Sequence, residues 1–141
     1  MARLAVQFLD QALHRAVFDA MPLPIFIVDP DVSILEYNTA AAQLLGDNRR
    51  TVLKRRGGEV LHCIHATEVP EGCGHTPACA KCVVRNAVNA AVAGQPVSRK
   101  SARIERITNG KRRKVNLRVT TQPFSHQGHT FVLLVLEGLN P

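Results

Sequence analysis

The sequence contains no tryptophan, one tyrosine and five phenylalanines among its 141 residues. Flat aromatic faces on which bases could stack are therefore scarce, which counts against a stacking-type nucleic-acid surface. Long hydrophobic runs are also missing. The longest purely apolar stretch, Phe131–Leu136, falls far short of the roughly 20 residues that a membrane-spanning helix needs. The opening segment MARLAVQFLDQALHRAVFD is broken by Gln7 and Asp10, and no small-residue cleavage site follows it. It reads as part of the fold and not as an export signal. No phosphate-cradling glycine loop, paired-carboxylate pattern or nucleophile elbow occurs, so an enzyme is not expected. Acidic residues are few, with 11 Asp and Glu against 18 Lys and Arg.

What is present fits one domain. A chain of 141 residues with 45% hydrophobic and 21% charged residues buries most of its apolar surface without needing staples. The net charge of +7 concentrates in RRTVLKRR (Arg49–Arg56) and GKRRK (Gly110–Lys114). Such patches attract anionic partners. With so few stacking residues they read as solvated loops and turn tips, and nucleic acid is not the expected partner. A cytoplasmic, reducing setting is expected, with no membrane association.

Periodicity then divides the chain. Leu4, Ala5, Phe8, Leu9, Ala12, Leu13, Ala16 and Val17 recur at helical spacing, which predicts an amphipathic helix over residues 1–20. Pro22 and Pro24 stop it. IFIVD and SILEYN read as two strands around the turn DPD, and Asn38 is placed to cap the helix TAAAQLLG. CAKCVVRNAVNAAVAG predicts a longer helix ended by Gly94 and Pro96. SARIERIT and KRRKVNLRVTTQPF flank Asn109-Gly110, a strong hairpin signal, and HTFVLLVLEGL is the last strand.

That last strand is apolar on both faces, with Phe131, Leu133 and Val135 alternating with Val132, Leu134 and Leu136. It therefore needs cover on both sides. The expectation is that Val132, Leu134 and Leu136 form the outer face and pack against Leu4, Phe8 and their stripe, from this chain or from a partner copy.

The order of elements, and the stretch AMPLPIFIVDPDVSILEYNTAAAQLLG (Ala20–Gly46), resemble a PAS domain, the small sensory fold of bacterial signalling proteins. The resemblance rests on a Met-Pro before the first strand, an Asp at its end and an Asn capping the next helix. It implies an α+β fold over residues 21–138: an antiparallel five-stranded sheet with helices on one face and the N-terminal helix on the other. It also implies a sensory role, a homodimer, and an output partner or fused domain such as a histidine kinase. The glycine usual in the first hairpin turn is missing, for Asp29-Pro30-Asp31-Val32 stands there.

All four cysteines lie in the segment 61–85, spaced Cys63-x9-Cys73-x5-Cys79-x2-Cys82. In a reducing compartment such a cluster points to metal or redox chemistry more than to disulfides. Cys-x-x-Cys is a natural bite for one metal centre, and two further thiols complete a set of four. Cys79 and Cys82 fall at a predicted helix start, which favours thiolates. Gly72 and Gly74 let the backbone wrap Cys73, while Lys81 and Arg85 are placed to offset the cluster's negative charge. The irregular spacing points first to an iron–sulfur cluster (4Fe-4S), then to zinc, then to a disulfide, a redox pair or no ligand. His62, His65 and His75 are left outside the first set of ligands, His75 being the strongest contender. The segment also resembles a cysteine-bearing insertion in PAS domains of bacterial sensor kinases. The implied function is sensing of oxygen or redox state. The alternative is a zinc-stabilised interaction module contacting nucleic acid or a protein.

Overall fold

A computed structural model describes residues 12–45, 82–108 and 110–138. The elements run α1 (His14–Ala20), β1 (Ile25–Val28), β2 (Ile34–Tyr37), α2 (Thr39–Leu45), α3 (Val83–Val92), β3 (Lys100–Thr108), β4 (Lys111–His126) and β5 (His129–Glu137). The five strands form one antiparallel sheet in the order β2-β1-β5-β4-β3. The last strand in sequence is thus the middle strand in space, hydrogen-bonded to β1 on one edge and β4 on the other.

Turn chemistry sets the registers. Thr108 pairs with Lys111 across the two-residue loop 109–110, with Gly110 at positive φ. His126 pairs with His129 across Gln127 and Gly128, both at positive φ, as a type I′ connection requires. Helix α3 ends as its sequence predicts. Gly94 takes φ +90, its N–H donates to the Ala91 carbonyl, and the Gln95 N–H donates to that of Ala90, a Schellman closure.

One face of the sheet carries the core. Phe26, Val28, Tyr37, Leu117, Val119, Val132, Leu134 and Leu136 meet Ala41 of α2 and Val84, Ala87, Val88 and Ala91 of α3. The α3 residues recur at helical spacing, and the two alanines let the helix axis lie close to the sheet. The expected parity of β5 is therefore corrected. Val132, Leu134 and Leu136 are 0, 2 and 0% exposed beneath α3, while Phe131, Leu133 and Val135 take the outer face and are half-buried.

Helix α1 lies beside α2. Its Arg15 reaches Glu36 at 3.2 Å, and Glu36 pairs with Ile27, which shares the outer face with Leu133. The first part of the predicted stripe (Leu4, Ala5, Phe8, Leu9) lies outside the described residues. Its last part does not cover the sheet in the single chain, since Leu13 and Val17 are 44 and 47% exposed.

Truncating the two β5 leucines separates the faces. Leu134→Ala is expected to lower the unfolding free energy by about 2–4 kcal/mol and Leu133→Ala by less than about half of that, measured by urea denaturation. Equal costs would show that both faces are equally packed.

Candidate functional site

Of the four cysteines, Cys82 is described, while Cys63, Cys73 and Cys79 lie outside the described residues, as do His62, His65 and His75. Cys82 is the N-cap of α3, with extended backbone and no side-chain capping bond. Its carbonyl accepts from the Asn86 N–H at 2.9 Å. The thiol is free and half-buried, packed against the edge of the core. Among the described residues no three His, Cys, Asp or Glu side chains gather as a metal site would require.

One turn beyond Cys82, Arg85 ties α3 to the β1–β2 turn. Its Nη1 donates to Asp31 Oδ1 at 3.0 Å and its Nη2 to the Asp31 carbonyl at 3.2 Å. The sequence placed Arg85 as a counter-charge to the cysteines; in the structure this guanidinium is engaged by Asp31. The turn is built by Asp29, whose Oδ1 accepts from the Asp31 and Ser33 N–H groups at 3.0 and 2.9 Å, an Asx arrangement. Val32 follows at φ +63, where the usual glycine is missing. A β-branched residue there stores about 1–3 kcal/mol of strain. Burial of its side chain in the core and the Val32 N–H bond to the Asp29 carbonyl at 2.9 Å hold it in place. The stretch DPD was legible as a turn; its partner 54 positions away was not.

Two buried polar side chains fix the elements around this turn. Asn38 Oδ1 accepts from the Ile25 N–H at 3.0 Å and the Ala41 N–H at 3.1 Å, and its Nδ2 donates to the Leu23 carbonyl at 2.9 Å. The expected cap of α2 is thus present, and the same side chain also pins the start of β1. Thr121 on β4 donates to the Ala87 carbonyl and accepts from the Val97 N–H, both at 3.1 Å, fastening α3 and its exit loop to the sheet. Nothing in the sequence singled out Thr121, a threonine in a strand of alternating residues.

No helix among the described residues is long and apolar enough to cross a membrane.

Residues 12–76 match the family model for the PAS domain. Among solved structures, the chain is similar to the PAS domain of nitrogen regulation protein NR(II) from Vibrio parahaemolyticus, at 17% identity and a TM-score of 0.64, covering 91% of this chain and 99% of that one. It is also similar to the PAS domain of an HTR-like protein from Haloarcula marismortui, at 19% identity and a TM-score of 0.58, covering 97% and 98%. A third is a PAS domain from a two-component sensor histidine kinase, at 8% identity and a TM-score of 0.56, covering 97% and 98%. No curated protein matches the sequence. The five-stranded antiparallel sheet with its helices is the PAS fold.

Asn38 carries the local architecture, so its loss has a large cost. Asn38→Ala leaves two buried N–H groups and a carbonyl without their partner and is expected to cost roughly 2–4 kcal/mol of stability. Thermal and chemical unfolding would check this; a cost below about 1 kcal/mol would mean that water takes over the bonds.

Proposed function

We propose that this chain is a sensory signalling domain in which Cys63, Cys73, Cys79 and Cys82 hold an iron–sulfur cluster, 4Fe-4S in type, that responds to oxygen or redox state. One observation carries the reading from sequence into structure. The last of the four cysteines opens α3, half-buried against the core, one turn from the Arg85–Asp31 latch. Its extended backbone places the residue at the helix start, as the N-cap of α3. The core contact keeps water from one side.

When bound, the cluster supplies one-electron chemistry and sensitivity to oxygen. The protein's own part is mechanical. Cys82 is covalently continuous with α3, Arg85 links α3 to the turn at Asp31, and Thr121 links it to β4. A change in how the cysteines are restrained therefore reaches the sheet through contacts already in place. The output is assigned to a fused domain or partner such as a histidine kinase. PAS domains from a regulator and a sensor kinase among the similar structures support that assignment.

Anaerobic purification with iron, zinc and sulfide analysis tests the cluster. Iron and sulfide in equal amounts, with visible absorbance lost in each of C63S, C73S, C79S and C82S, is the expected result, since a hydroxyl is a poor ligand for a soft site. Zinc alone, stable in air, would favour the zinc-stabilised interaction module. Protein with neither would overturn the metal reading altogether.

We also propose a homodimer. Leu13, Val17 and Met21 recur every fourth position and are 44, 47 and 41% exposed, beside an outer sheet face bearing Phe131, Leu133 and Val135. Two copies of such a surface would bury it at about 25 cal/mol per Å². Val17→Asp is expected to give a monomer by sedimentation velocity; an unchanged dimer would place the interface elsewhere.

A further inference from the structure

Strands β3 and β4 pair from Lys100↔Val119 to Thr108↔Lys111, but β5 accompanies β4 only from Arg118 onward. Ala102–Thr108 and Lys111–Leu117 therefore extend as a two-stranded ribbon with no third strand beside it among the described residues. Its seven residue pairs span about 20 Å at ~3.4 Å per residue. The ribbon carries Arg103, Arg106, Lys111, Arg112, Arg113 and Lys114, with Glu105 as its one carboxylate. The sequence assigned Gly110–Lys114 to a solvated turn tip. The register adds what the sequence hides, by setting Arg106 directly opposite Arg113 and Arg103 opposite Asn116.

Like charges facing one another across a strand pair repel, and an anion lying between them reverses the sign of that interaction. On β4, Arg112, Lys114 and Arg118 share one face, with Asn116 between the last two, and successive positions on that face are about 6.8 Å apart. At the base of the ribbon this row runs into an open cleft of about 680 Å³ lined by Arg99, Arg103, Asn116, Arg118 and Glu137, where Glu137 bridges to Arg99 at 3.3 Å. The row shares its face with Arg103 and with Glu105, which lies opposite Lys114, while Arg106 and Arg113 lie on the other face. Cations spread along the ribbon in this way suit a linear polyanion better than a small one.

Shape and composition narrow the polyanion. The ribbon has no aromatic residue, so it offers no platform for single-stranded bases. Its exposed large apolar residue is Ile107, too little for the apolar centre of a protein interface. A two-stranded ribbon does fit the major groove of B-form DNA, about 12 Å wide, whereas the deep, narrow groove of A-form RNA excludes it. We propose that the β3–β4 ribbon docks in the major groove of duplex DNA and holds the flanking phosphates through its arginines and lysines, independent of base sequence. The inference stands apart from the cysteines and holds whether or not they bind metal.

Fluorescence anisotropy of the full chain with a short labelled DNA duplex tests it. Contact with about four phosphates predicts a loss of roughly 100-fold in affinity between about 50 and about 200 mM salt. R112E/K114E/R118E is expected to weaken binding by about tenfold or more, with circular dichroism confirming the fold. R49E/R50E/R55E, the same change of charge in the other basic run, should leave affinity within about threefold. Equal weakening by both triple variants would overturn the proposal. So would equal binding of single-stranded DNA or duplex RNA, or equal competition by polyglutamate, which would mark an acidic protein partner. Absence of binding at low salt would overturn it too. Should the ribbon variant fail to fold, the salt dependence and the competition series on the unaltered protein decide alone.

Discussion

The placement of β5 at the centre of the sheet, with one face buried beneath α3, is the constraint on which the other elements depend. It is hydrogen-bonded to β1 on one side and β4 on the other, and its inward residues lie at 0–2% exposure under α3. Such a strand satisfies its backbone only if both neighbours are in register, and removes its apolar surface from water only if a helix lies across it. Both conditions are met by residues far away in sequence. The sheet is therefore complete only with the final strand, which lies between β1 and β4. Asn38 prepares one side of that slot by holding β1 and α2 in fixed relation, and Thr121 prepares the other.

Against this rigid centre, the connection between α3 and the β1–β2 turn is of a different strength. The Arg85–Asp31 pair joins a largely shielded guanidinium to a carboxylate that is half exposed, and ion pairs with that much solvent contribute only about 0–1 kcal/mol. It sits beside a turn already strained at Val32. A weak link next to stored strain is easily released, whereas the Thr121 bonds on the same helix are buried. At its first turn, where Cys82 stands, helix α3 combines this ion pair with the burial of Val84 in the core.

Much of this was legible from residues alone. The Met-Pro segment, the Asp29 turn, the Asn38 cap, the Gly94 stop and the Asn109-Gly110 hairpin each depend on chemistry within a few positions, and each falls where the sequence placed it. The parity of β5 was not read correctly because both of its faces are apolar and periodicity alone cannot orient them. The information was nevertheless present in β4, where Leu117 and Val119 alternate with Arg118 and Thr120. Once the connection is known to be Gln127-Gly128, Val119 must face Leu136, and the inward set follows by counting. Ending β4 at Phe124, two residues early, concealed this. The latch from Arg85 to Asp31 and the role of Thr121 were illegible for another reason, since each joins positions tens of residues apart. The spacing of the cysteines could be read, but Cys63, Cys73 and Cys79 lie outside the described residues.

Among the described residues, the sheet order leaves β3 at an edge, with a row of backbone donors and acceptors that an extended chain could pair with. A flat, apolar edge of this kind would recruit further copies strand to strand and grow into aggregate. Here every approaching copy presents the same arginines and lysines, and at close range they repel. Alongside any ligand they hold, these side chains act as a solubility device, keeping the open edge from extending the sheet into a second molecule.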